Sequence, residues 1–124
     1  YDTVYGVWKY FTVWEEQMNL ERESYCLIGT LEAWNAMCQY FGREKMIPVY
    51  IEVEDGTRLI RAVERERTQE HPGYEELCRR FLADAKDFSE ENLKNAGITR
   101  RFENKDMNAC LEEIKLFIQK AILI

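Results

Sequence analysis

The sequence has no apolar run approaching the roughly 18 residues that a membrane span needs, and no signal-peptide pattern. No membrane partner is expected, and a cytoplasmic setting is. It has no CxxC pair and no Cys/His cluster. Its four cysteines (Cys26, Cys38, Cys78, Cys110) are widely spaced and His71 is its one histidine. That excludes the common zinc frameworks, so no metal-ligand set is expected. Each cysteine falls in an apolar periodic segment, where a reduced thiol acts as a small core residue, and this fits a reducing cytosol. No long basic stripe is present either. Asp and Glu number 23 against 17 Lys and Arg, for a net charge of −6, which argues against nucleic acid as a partner. Neither a Ser/His/Asp nor a Cys/His arrangement has support in the spacing. The acidic residues spread along helix faces without an inward-facing pair. There is no repeat, low-complexity tract or linker, so 124 residues make one domain or part of one.

What is present is a patterned chain that is 46% apolar, enough for a core. Tyr10–Trp14, aromatic and β-branched, predicts a strand, followed by a polar connector over Glu15–Glu23. Tyr25–Gly29 predicts a short buried strand. Leu31, Trp34, Cys38 and Phe41 recur at helical spacing, and Gly42 stands where a helix ends. Ile47–Val53 is the clearest strand. Asp55-Gly56 predicts a turn and Thr57 a helix cap, with Leu59, Ile60 and Val63 on the buried side. Tyr74, Leu77, Phe81 and Phe88 mark a further helix. Ser89 caps a short one that Gly97 closes. Thr99–Phe102 predicts a last strand. Met107, Cys110, Leu111, Ile114, Phe117, Ile118 and Ile122 predict a long amphipathic helix. Trp8, Trp14 and Trp34 read as core or sheet-surface residues. Strands alternating with helices argue for an α/β domain with a largely parallel sheet.

Arg58, Arg61, Arg65, Arg67, Arg79 and Arg80 gather between positions 58 and 80, with no lysine among them. The planar, permanently charged guanidinium grips phosphate bidentately. Between the two arginine groups lies Gln69-Glu70-His71-Pro72-Gly73, a polar break that predicts a mobile loop. Arg58 and Arg79 fit a solvated helix face, with Glu75–Arg79 and Glu76–Arg80 as i,i+4 pairs. Arg61, Arg65 and Arg80 fit phosphate contact at the ends of a lid spanning about 66–74, and Arg67 fits either reading. His71 reads as a surface residue, because phosphoryl transfer needs positioning and charge more than a base.

Several motifs together resemble the guanylate kinases over essentially the whole length. They are Arg61-x-x-x-Arg65, the polar lid, Glu75-x-x-x-Arg79-Arg80-Phe81, and Phe102-x-Asn104-x-Asp106-Met107 before a final amphipathic helix. Tyr5-Gly6 matches the family's Tyr-Gly. The resemblance implies a P-loop nucleoside monophosphate kinase-like fold, a parallel sheet with flanking helices. It implies transfer of the ATP γ-phosphate to GMP or a similar monophosphate in purine nucleotide metabolism, with ATP and Mg²⁺ required. Arg61, Arg65 and Arg80 would bind the transferring phosphates. Tyr5 would hold the acceptor phosphate and Thr30 would face the acceptor base. Asn104 would shape the donor purine pocket, with Arg67 beside the donor.

The chain departs from that pattern at several points. Val7 follows Tyr5-Gly6 where the family has threonine. Ile28-Gly29-Thr30 replaces Asp-Ile-Asp, and Thr30 offers no carboxylate to a guanine amino group, so weaker guanine selectivity is expected. Pro72 and Gly73 lengthen the lid. No Gly-x-x-x-x-Gly-Lys-Ser/Thr occurs, and that loop cradles the donor phosphates. The chain opens on Tyr1, and Tyr1–Val13 carry five aromatic residues. It is therefore expected to be the C-terminal portion of a guanylate kinase-like domain. Residues 1–30 would be the remainder of the monophosphate-binding region and its following strand, with the P-loop strand and helix lying before them. Such a chain is expected to be inactive alone, to bind no ATP or Mg²⁺ tightly, and to form a homodimer or need the missing segment. The alternative function is a non-catalytic guanylate kinase-like protein-interaction module.

Overall fold

A computed structural model describes residues 2–122 other than 8, 10, 14 and 16. The first elements form a hairpin, β1 (Asp2–Thr3) pairing antiparallel with β2 (Gly6–Val7). Gly6 turns at φ +117°, a value that suits glycine. The Thr3 hydroxyl accepts from the Tyr5 amide and donates to the Gly6 carbonyl. Helix α1 (Leu31–Phe41) begins at Thr30, whose hydroxyl accepts from the Ala33 amide. It ends at Gly42, whose φ is +93°. A 3-10 turn, Arg43–Lys45, leads to β3 (Tyr50–Glu52). Helices α2 (Asp55–Arg67), α3 (Tyr74–Asp87) and α4 (Glu90–Asn95) follow. Then come β4 (Arg101–Glu103) and α5 (Met107–Ile122).

The fold is mixed α/β, with five α-helices among the described residues. Among the described residues β3 and β4 form a parallel two-stranded sheet, with Ile51 opposite Phe102. One core gathers Leu31, Leu93 and Ile98, with Trp34, Tyr50, Phe88 and Ala96 against them. Trp34 Nε1 donates to the Ala96 carbonyl at 3.0 Å, so burying the indole leaves no orphaned donor. The other core element is Phe102, fully buried, meeting Phe117 of α5 edge-on at 5.2 Å. No described helix is long and apolar enough to cross a membrane.

The α1, α4 and α5 spans match the periodicity, and so do the caps at Ser89 and Gly42. Other expectations are corrected. Tyr25–Gly29 is not a strand, and Ile28 is fully exposed at 102%. A strand exists only where a ladder partner exists, and none of the described residues supplies one. Residues 11–13 are likewise not extended into a ladder. Tyr10, Trp14 and Trp8 lie outside the described residues. The Asp55-Gly56 turn is instead the first turn of α2. The Glu54 carboxylate reaches over it to accept from the Gly56 and Thr57 amides, both at 2.8 Å. Glu54, not Thr57, is therefore the cap, and Ile60 is 60% exposed rather than buried. β3 covers only Tyr50–Glu52 of the Ile47–Val53 run, and β4 lies at Arg101–Glu103, overlapping the end of Thr99–Phe102. Of the cysteines, Cys110 is buried and Cys38 half-buried, but Cys26 and Cys78 are exposed, so the thiols are not uniformly core residues.

Truncating Phe102 should be the most damaging single change to this frame. Phe102→Ala is expected to destabilise the chain by about 3–5 kcal/mol in urea unfolding. A loss under about 1 kcal/mol would mean that the β4–α5 seam is not a tight core.

Candidate functional site

The α3 residues Glu76, Arg80, Ala83, Asp84 and Asp87 stand at i, i+4, i+7, i+8 and i+11. A helix of 3.6 residues per turn places them on one face. That face forms one wall of a cavity of about 310 Å³. Opposite it lie Thr3 and Tyr5 of the hairpin and Thr30 at the start of α1. Tyr5, Thr30 and Arg80, far apart in sequence, thus meet around one space.

Glu76 fixes the geometry. It is 6% exposed. Its carboxylate accepts from Arg79 Nη2 at 2.7 Å and from Arg79 Nε, and also from the Val4 amide at 2.9 Å. The Arg79 fork, and then the Val4 amide, hold the Glu76 carboxyl down at about 2 from an ordinary 4.5. One side chain therefore ties the hairpin tip to the first turn of α3. Tyr5 comes with it. A Cβ on Gly73 would sit 2.6 Å from the Tyr5 hydroxyl, so any larger residue there would push the Tyr5 ring aside. Gly73 also donates its amide to Glu66 Oε1 at 2.8 Å. The loop between α2 and α3 thus ends pinned between α2 and the hairpin.

Charges around the cavity are mixed. Burial pushes the Asp84 carboxyl up, while the Arg58 guanidinium pulls it back. Arg58 itself lies 4.1 Å over the Phe81 ring. The Thr30 hydroxyl accepts a helix amide but keeps its proton to donate. The cavity is lined by the Tyr5 and Thr30 hydroxyls, the Arg80 guanidinium and the carboxylates of Glu66, Asp84 and Asp87.

A second cavity, about 320 Å³, lies between Thr57 at the start of α2 and the Glu103-Asn104-Lys105 segment. Arg61 braces it from behind. Its guanidinium donates to the Asn104 and Lys105 carbonyls at 2.9 and 3.0 Å. Asn104 Oδ1 is buried there with no partner among the described residues.

The expected site residues thus fall into three groups. Tyr5, Thr30 and Arg80 share the first cavity, and Asn104 lines the second with Arg61 bound to its carbonyl. Arg65 and Arg67 are exposed on the last turn of α2 and line neither cavity. Arg79 is not a solvated residue pairing with Glu75. It folds onto Glu76, three residues back, because that carboxylate is held in place by Val4. His71 is 92% exposed at the loop tip. Sequence reasoning missed Glu76, Gly73, Asp84 and Asp87. Their spacing on α3 was visible, but the burial that distinguishes Glu76 from its exposed neighbour Glu75 was not. Among the described residues no group of three or more His, Cys, Asp or Glu side chains could hold a metal ion. Comparison with protein-family models, with curated proteins and with solved structures finds no match.

The clamp has a pH signature. A carboxyl depressed in the fold contributes stability that is fully present above its unfolded value of 4.5 and is lost as pH falls through about 2. The Val4 amide resonance should therefore titrate with a midpoint near 2, and the hairpin should lose exchange protection across that window. Glu76→Gln should abolish the titration and loosen the hairpin at neutral pH. A midpoint at the ordinary glutamate value would mean that the clamp does not form.

Proposed function

We propose that the first cavity binds a nucleoside monophosphate, and that the chain belongs to a guanylate kinase-like phosphotransferase. The observation that carries the reading is the convergence of Tyr5, Thr30 and Arg80 on one cavity. These are three residues that the resemblance assigns to the acceptor nucleotide and the transferring phosphate. In this reading the Tyr5 hydroxyl and the Arg80 guanidinium hold the acceptor phosphate, Thr30 meets the base, and Asp84 or Asp87 supplies the carboxylate that Thr30 lacks. Asn104 Oδ1 accepts from the donor purine. Arg61 positions Asn104 through its carbonyl, and Arg65 and Arg67, exposed on the last turn of α2, meet the donor phosphates from there.

In a guanylate kinase-like reaction an acceptor phosphate oxygen would attack the γ-phosphorus of ATP. The bond from that phosphorus to the β-phosphate oxygen would break, and ADP would leave. Arg80, already on the acceptor phosphate, would also meet charge that develops during transfer. Mg²⁺ in phosphoryl transfer is held largely by nucleotide phosphates and water, so the reading rests on the groups that touch nucleotide. With no phosphate-loop lysine in its sequence, this chain is expected to bind GMP without transferring phosphate.

One observation favours a second reading, a non-catalytic interaction module. Arg61 is occupied by two backbone carbonyls and not aimed into a cavity. The two readings part on ligand binding. Titration calorimetry with GMP and guanosine should show GMP binding more tightly, and Arg80→Ala should weaken GMP by about tenfold or more, as loss of a charge-assisted hydrogen bond implies. Equal affinity for GMP and guanosine, or no binding of either, would overturn the proposed function.

A further inference from the structure

The β3–β4 pair poses a problem of exposed area and unpaired backbone. Parallel strands are rarely left with an open face, and a two-stranded pair is marginal by itself. The chain exposes 10323 Å², whereas a compact monomer of 14.9 kDa exposes about 7,000 Å². The surplus, roughly 3,000 Å², is spread over the chain, and Ile47 and Ile51 are among the exposed apolar side chains.

The open edge can be located. The Glu52 carbonyl accepts from the Asn104 amide at 2.8 Å. Strand alternation then turns the polar groups of Tyr50 and Glu52 toward β4. Those of Val49, Ile51 and Val53 point the other way, where no described residue pairs with them. Ile51 is 50% exposed although its register partner Phe102, on the same face, is fully buried. The far edge of β4 differs. It presents Arg101 and Glu103 and is followed by Lys105, the charged composition that guards an edge.

We propose that this chain forms a two-fold symmetric dimer through the outer edge of β3, with a second copy as the occupant. Antiparallel pairing centred on Ile51 sets Ile51 against Ile51 of the other copy and Val49 against Val53. All of these are residues whose N–H and C=O already face outward. Tyr50 then stands opposite Glu52, so no like charges oppose one another, and Arg101 already neutralises Glu52 with a 2.6 Å ion pair. The missing N–H of Pro48 falls on the β4 side, where it costs the new ladder nothing. The product is a continuous sheet in the order β4–β3–β3–β4, in which the two Ile51 side chains lie together on the face that α5 covers. The charge pattern is self-complementary, which is what an isologous contact requires.

Light scattering on the 124-residue chain should give about 30 kDa, twice the 14.9 kDa of the monomer. Ile51→Pro removes an outward N–H and blocks the edge without touching the β4 ladder. It should give a folded protein of about 15 kDa, half the dimer mass. Ile51→Cys places two thiols at Cα atoms about 5.5 Å apart, so mild oxidation should yield a disulfide between the two copies of position 51, mapped by mass spectrometry. A wild-type monomer at all concentrations would overturn the proposal and leave the edge to a strand of another protein. So would a dimer untouched by a folded Ile51→Pro. If Ile51→Pro fails to fold, a dimeric Ile51→Cys protein without that cross-link overturns it.

Discussion

Glu76 surrenders nearly all contact with water, and its carboxylate is compensated from two directions. A fork from Arg79 comes from its own helix, and an amide comes from Val4, 72 residues away in sequence. A buried carboxylate without such partners would be strongly unfavourable. The two contacts therefore depend on each other and define where the hairpin sits on α3. The hairpin position brings Tyr5 against Gly73, while Thr30 is placed separately by α1, whose Leu31 packs with Leu93 and Ile98.

The other half of the molecule is organised by β4. Phe102 is buried under α5, while its neighbours Arg100 and Arg101 carry charge outward. Arg101 binds both Glu52 of β3 and Glu90 of α4, and the two carboxylates raise its pKa further. The guanidinium also lies 5.9 Å from the Tyr50 ring centroid. Arg100 lies over both Phe102 and Phe117. The short strands are thus held more by arginines bridging them to helices than by ladder length. This explains how a sheet of two three-residue strands keeps α2 and the Asn104 segment in register for Arg61 to grip.

Helices were legible in the sequence because each carries its own signal. α5 shows seven apolar residues at helical spacing, and Ser89 and Gly97 bracket α4. The strands were legible only in part, since a strand is defined by its neighbour. Tyr25–Gly29 has the composition of a buried strand and no partner among the described residues, so it stays exposed coil. Glu54 was overlooked as a cap because Asp55-Gly56 reads as a turn, yet the glycine amide is what the carboxylate captures. In the site, Tyr5, Thr30 and Arg80 were identified by resemblance, and the cavity joins them. Glu76 could not be identified, because burial of one of two adjacent glutamates depends on a hairpin dozens of residues away.

The central claim is that the space between the hairpin and α3 is a nucleotide site. A structure of the chain with GMP tests it most directly. The account predicts the phosphate within hydrogen-bond distance of both the Tyr5 hydroxyl and the Arg80 guanidinium, with the base toward Thr30 and Asp84. A phosphate seated instead on Arg65 and Arg67, or an empty cavity at saturating nucleotide, would contradict it.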